Sequence, residues 1–204
     1  MLLFENISML TQYPMVLATL IGVFILCILF IYITKIKITT RMTVHIGLIL
    51  ALTMILHSIR LYHMPQGGSV TLGGMIPLIL LSLYYKPSVG YFAGFIYGFI
   101  NFIQDPFILH PLQVIFDYPL PYMLLGIVGY FKHNILIGVS LAITARFLCH
   151  FSSGIIFFTD YVPVGTSIYT YSFIFNITYL LPELIITLII LYFLPIKRIF
   201  NSIK

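Results

Sequence analysis

The run NILIGVSLAITARFLCHFSSGIIFF, residues 134–158, decides the architecture. At a rise of 1.5 Å per residue it forms a helix about 37 Å long, enough to cross the ~30 Å hydrocarbon core of a bilayer. Its one formal charge is Arg146, with His150 four residues beyond on the same helix face. Apolar residues occupy every side, so this helix is solvated by lipid and neighbouring helices rather than by water.

Outward from this run the same pattern recurs. Apolar segments cover 14–34, 43–62, 73–85, 88–104, 112–131 and 169–195. The 204-residue chain is 61% hydrophobic and 7% charged, against about a quarter charged in soluble domains. It reads as an all-α integral membrane protein. About seven spans nearly exhaust the length, leaving no soluble catalytic or nucleotide-binding domain. Any energy input must come from an ion gradient or a partner protein. The net charge of +5 is spread over the ends of spans, which points to topology and membrane lipid headgroups and not to nucleic acid. Cys27 and Cys149 lie in apolar segments without metal-ligand spacing. The run Pro14 to Ile33 lacks a basic n-region and exceeds a signal h-region, so it reads as a retained span.

Counting spans places Lys35, Lys37, Arg41, Lys86, Lys132, Lys197, Arg198 and Lys204 on one side, cytoplasmic by the positive-inside rule. Arg60 is the exception, at the outer end of its span. Glu5, Asp105 and Asp160 fall outside, so the N-terminus is expected outside and the C-terminus in the cytoplasm. Two outer loops, Met64–Thr71 and Gln104–Pro111, mix turn residues with apolar or aromatic ones, as packed lids do. Gly90, Gly94 and Gly98 make a smooth strip on the span 88–104, suited to close helix packing.

Polar residues inside the membrane mark a site. Asp117, His150 and Asn176 lie on three spans at a common depth of roughly 8–12 Å below the outer surface, with Arg146 one turn deeper. Unpaired ionisable groups at such depth cost a few kcal/mol, so they face a cavity and a partner. A lone His is also a helix–helix hydrogen-bond group, and an Asp–Arg pair a structural ion pair. Asp117, Arg146, His150, Tyr171 and Asn176 in one layer beneath aromatic-bearing loops favour a pocket open to the outside. A carboxylate among aromatic rings suits a flat organic cation. Glu183, the other intramembrane acid, follows Pro182 and is expected to satisfy backbone freed by that proline. Zincin, nucleophile-elbow and P-loop motifs are missing, as are paired carboxylates for magnesium chemistry, so neither catalysis, metal nor cofactor is expected.

Four ordered blocks carry a resemblance: PQGGSVTL (65–72), HPLQVIFDYPL (110–120), HFSSGIIFF (150–158), and Tyr171-Ser172 through Asn176 to YLLPE (179–183). From about Thr43 to the C-terminus the chain resembles the thiamine-specific substrate-binding subunits of energy-coupling-factor vitamin transporters. That family has six helices. It captures vitamin from outside and works with a transmembrane coupling subunit and two cytoplasmic ATPases. The resemblance implies a six-helix domain over 41–204, preceded by an additional transmembrane helix and basic linker over 1–40. It implies that Asp117 hydrogen-bonds an aminopyrimidine, that His150 and Phe158 stack on the rings, and that Tyr118, Tyr171 and Asn176 make polar contacts. Phe107 falls where the family places an aromatic on the ligand, and Arg146 where a base accompanies the acid. Gly47 and Ala51 match a small-x-x-x-small pair on which the coupling subunit docks. The family commonly stacks Trp on thiamine; this chain has none. The expected function is binding of thiamine in the bacterial cell membrane for an ATP-driven importer. The same architecture serving another vitamin or a thiamine precursor, and a small intramembrane enzyme or a proton-coupled carrier using Asp117 and His150, are the alternatives.

Overall fold

The computed structural model describes residues 38–203, together with residues 21, 22, 25 and 28. The expected first span at 14–34 therefore lies outside the described residues except at those four positions, which are helical. The rest is a helical bundle with one small hairpin. Helix α1 (Thr40–Ser58) opens on Thr39, whose hydroxyl accepts from the Met42 amide at 3.2 Å and so satisfies one free N–H of the first turn. Strands β1 (Arg60–His63) and β2 (Ser69–Thr71) then pair antiparallel. The expected span 43–62 thus ends at Ser58, and Arg60 belongs to the hairpin. Helices α2 (Ile76–Tyr84) and α3 (Pro87–Gln104) follow, the latter with its proline at the first turn, where no N–H is needed.

The segment 112–131, read from sequence as one span, is broken. Helix α4 (Pro111–Asp117) stops at Tyr118, α5 (Pro119–Met123) restarts, and a 3-10 stretch covers Leu124–Tyr130. Pro119 and Pro121 lack the N–H that a continuous helix would need, and the ring of each crowds the preceding turn. Membranes tolerate such a break where it is buried in protein or lines a cavity. Helices α6 (Ile135–Phe157) and α7 (Ile168–Phe193) are the long closing pair, and α8 (Ile196–Ile203) ends the chain.

Four of these segments, counting Pro111–Tyr130 as one, are long and apolar enough to cross a membrane among the described residues. Large apolar side chains such as Leu48, Ile55, Leu148, Ile174 and Ile185 point outward, whereas the interior holds Tyr97, Tyr122, Gln113 and Ser82 alongside aliphatics. Apolar outside with hydrogen-bonded polar groups inside is the arrangement lipid demands. The glycine strip of α3 lies against the broken span. A Cβ on Gly98 would meet the Pro119 backbone, one on Gly94 the Tyr122 backbone, and one on Gly90 the Ser82 side chain and Gly126.

Candidate functional site

The break at Tyr118 is what builds the site. It leaves Asp117 at the end of α4, facing α6, with its carboxylate only 15% exposed. Gln113, one turn earlier, donates Nε2–H to Asp117 Oδ2 at 2.7 Å, and His150 Nδ1 lies 3.2 Å from Oδ1. A carboxylate only accepts, so Nδ1 carries the hydrogen of that bond. Each carboxylate oxygen keeps a further lone pair for a ligand donor. Among the described residues, His150 Nε2 and Arg146 Nε are buried without a partner, and both residues line the same cleft.

All eight residues singled out for binding, Phe107, Asp117, Tyr118, Arg146, His150, Phe158, Tyr171 and Asn176, line this one cleft. Their surroundings differ. Tyr118 is buried, and its hydroxyl donates to the Asp105 carbonyl while accepting from the Phe107 amide, both at 2.8 Å. It therefore fixes the 105–110 loop as well as walling the cleft. Arg146 lies over the Tyr122 ring at 4.1 Å and donates to Met75 Sδ at 3.3 Å. Its guanidinium thus meets an aromatic ring and a thioether, while Asp117 is paired with His150. Asn176 accepts from the Tyr179 hydroxyl at 2.9 Å and donates to the Ser172 carbonyl at 2.8 Å. Phe107 and Phe158 stack on each other, centroids 5.7 Å apart and planes within 11°, with Tyr161 edge-on to Phe107.

Other residues escaped the sequence reading. Gln113 is fully buried and joins three things: the Asp117 carboxylate, the Phe107 carbonyl at 3.1 Å, and the Leu109 amide, which donates to its Oε1 at 3.0 Å. Its position one turn before Asp117 was the available signal. Arg60, the exception to the charge rule, pairs with Asp105 at 2.9 Å across the mouth, and His63 approaches the same oxygen at 3.7 Å. Two residues far apart in sequence, each at the end of a span, gave no local cue to that pairing. Glu183 does not serve backbone freed by Pro182. Both its oxygens accept from Thr71 of the hairpin, from the amide and from the hydroxyl, each at 2.6 Å. Gly47 and Ala51 are exposed in the middle of an outward stripe of α1, and a Cβ on Gly47 would meet nothing within 4 Å.

Residues 43–201 match the family described as thiamine transporter protein (Thia_YuaJ). The chain belongs to that family. It is 32% identical over 160 residues to the thiamine transporter ThiT of Bacillus subtilis strain 168, an alignment covering 69% of this chain and 83% of the relative. Against ThiT of Lacticaseibacillus paracasei it is 28% identical over 123 residues, 50% of this chain and 61% of that one. The fold superposes on a solved structure of ThiT from Listeria monocytogenes with a TM-score of 0.68 and 22% identity, covering 77% of this chain and 93% of the other. The chain is therefore a multi-pass membrane protein of the ThiT/YuaJ family with the helical fold of that structure, and the relatives are named as transporters rather than enzymes.

Proposed function

We propose that this ThiT-family protein binds thiamine in the cleft beneath the hairpin and delivers it as the substrate-specific subunit of an ATP-driven importer. The observation that carries the reading is the Asp117 carboxylate, held by Gln113 and His150 at the wall of a cleft roofed by the stacked Phe107–Phe158 pair. Thiamine joins an aminopyrimidine, which has N–H donors for a carboxylate, to a flat cationic ring, which is drawn to aromatic faces. A ring sandwiched between two others at contact distance needs them about 7 Å apart, twice the ~3.5 Å van der Waals spacing. The 5.7 Å pair must therefore part, or the ligand stacks on its inner face. In either case the vitamin occupies the cleft that His150 also lines, and the free Nε2 of that residue is an acceptor in the neutral imidazole. Calorimetric titration of the purified protein with thiamine, and mass spectrometry of what co-purifies, test the assignment. A different heterocycle in the site would support the alternative of another vitamin or a thiamine precursor.

ATP-driven delivery would require a partner, since the sequence carries no P-loop motif and the described residues form a membrane bundle. The exposed stripe of α1 that carries Gly47 and Ala51 is the surface assigned to the transmembrane coupling subunit, which works with two cytoplasmic ATPases. Small residues there let another helix approach closely. Gly47→Leu or Ala51→Leu is expected to leave thiamine affinity near normal in the isolated protein and to lower ATP-dependent uptake by about tenfold or more. Loss of binding with intact co-purification of the module would reverse the assignment. Uptake that survived removal of the ATPases but collapsed with a protonophore would favour a proton-coupled carrier.

The cleft is assigned to the outside, with Lys197 and Arg198 in the cytoplasm, by the distribution of basic residues. Single cysteines at the exposed residues 164 and 197, in a background lacking Cys27 and Cys149, are expected to react with an impermeant maleimide from opposite sides of right-side-out cells or vesicles. Labelling of both from one side would overturn this topology.

A further inference from the structure

The hairpin that roofs the cleft is held at its base, where Arg60 and Thr71 are cross-strand partners, by two unlike contacts. On β1, Arg60 and Asp105 form an ion pair whose side chains are 28% and 35% exposed. Water screens such a pair, and it adds little to stability. On β2, Thr71 and Glu183 are buried, with no exposure of Thr71 and 3% of Glu183. The carboxylate accepts both the Thr71 amide and hydroxyl hydrogens, and the Thr71 hydroxyl oxygen accepts in turn from the Gly74 amide at 2.9 Å. Charge-assisted bonds shielded from water are far stronger than an exposed pair. Removing the carboxylate would leave two buried donors without partners.

The same face of α7 reaches from this anchor to the vitamin site. Asn176, Tyr179 and Glu183 recur at spacings of three and four residues and so share one side of the helix. Asn176 lines the cleft and accepts from the Tyr179 hydroxyl. The Tyr179 ring presses on Gly68 at the hairpin turn, where a Cβ would come within 2.8 Å of it and where the backbone has φ of +91°. Gly68 itself lines the cleft. The hairpin is thus seated on α7 at its turn and fixed to α7 at its end.

We propose that Glu183 is a positioning residue for vitamin capture: by clamping Thr71 it fixes the base of the hairpin, so that Gly68 and Ser69 of the same strand and turn keep their place in the cleft wall. This rests on reading the cleft as the vitamin site. Glu183 touches no ligand. It acts through Thr71 and the hairpin turn.

The test has a ligand-free arm and a kinetic arm. In hydrogen–deuterium exchange of the apo protein, Glu183→Ala is expected to speed exchange of the Thr71 amide by about tenfold or more, with Glu183→Gln, which keeps one acceptor, falling between it and the wild type. In the kinetic arm, release of radiolabelled thiamine is expected to be about tenfold faster in Glu183→Ala, partly restored in Glu183→Gln, with a smaller change in the association rate. Thr71→Val, which removes only the hydroxyl, supplies the same comparison should the alanine variant fail to fold. A carboxylate needed only for stability would lower the melting temperature and leave the release rate of the folded fraction at the wild-type value, and that result overturns the proposal. Exchange at the wild-type rate in the variants overturns the clamp itself. Failure of the wild-type protein to bind thiamine would instead sink the functional reading, while the exchange arm would still decide whether Glu183 holds the hairpin.

Discussion

Asp117→Asn is expected to weaken thiamine binding by about 1.5–3 kcal/mol, or roughly ten- to 150-fold, the scale of a charge-assisted hydrogen bond lost from a buried site. The substitution changes almost no volume, so the loss reads out charge and acceptors. It also disturbs the wild-type partners. Gln113 Nε2 and His150 Nδ1 both offer hydrogens to the two oxygens of Asp117. An asparagine amide accepts one of these and sets its NH₂ against the other. Part of the effect should therefore appear as loosening of the 105–110 loop, because the same Gln113 amide also holds the Phe107 carbonyl. Asp117→Glu keeps the charge and both acceptors and should be milder. Calorimetry on each variant in detergent measures the effect. Unchanged affinity in a well-folded Asp117→Asn protein would place the vitamin elsewhere.

Gly94→Val is expected to prevent accumulation of folded protein, or to lower its melting temperature by about 10 °C or more, by overpacking a rigid contact. A Cβ at Gly94 would overlap the carbonyl of Tyr122 and lie 3.0 Å from the Met123 Cα. These are backbone atoms of the broken span, so no rotamer change relieves the clash. Moving that span would displace Tyr122, which supports Arg146 at 4.1 Å and bonds His57 at 3.0 Å. Gly47→Ala is the control, since a methyl group there meets nothing within 4 Å. Thermal unfolding followed by size-exclusion chromatography compares the two. Similar stability of Gly94→Val and wild type would contradict the packing of α3 on this span.

The membrane architecture was legible in the sequence because hydropathy over about 20 residues is a local property and lipid enforces it span by span. The six segments from 43 onward correspond to helical segments of the structure, within a few residues at most ends. The polar layer was legible for the same reason: Asp117, Arg146, His150 and Asn176 are conspicuous in apolar runs, and counting depth by helical rise put Asp117, His150 and Asn176 level, with Arg146 one turn deeper. Pro119 and Pro121 were visible as well, yet the segment read as continuous, because its hydropathy continues through the break that its missing N–H groups impose.

Partnership was decided elsewhere. Asp117 pairs with His150 and Gln113, while Arg146 lies on Tyr122. Glu183 clamps Thr71, 112 positions away, and Arg60 meets Asp105 across the mouth. The sequence by itself determined the spans, their polar residues and the blocks that carry the family resemblance. Only the tertiary structure decided which charge meets which donor. Hydropathy and proline act on the local backbone, whereas a hydrogen bond needs two side chains within about 3 Å, and that separation is set by helix rotation and packing across the whole bundle.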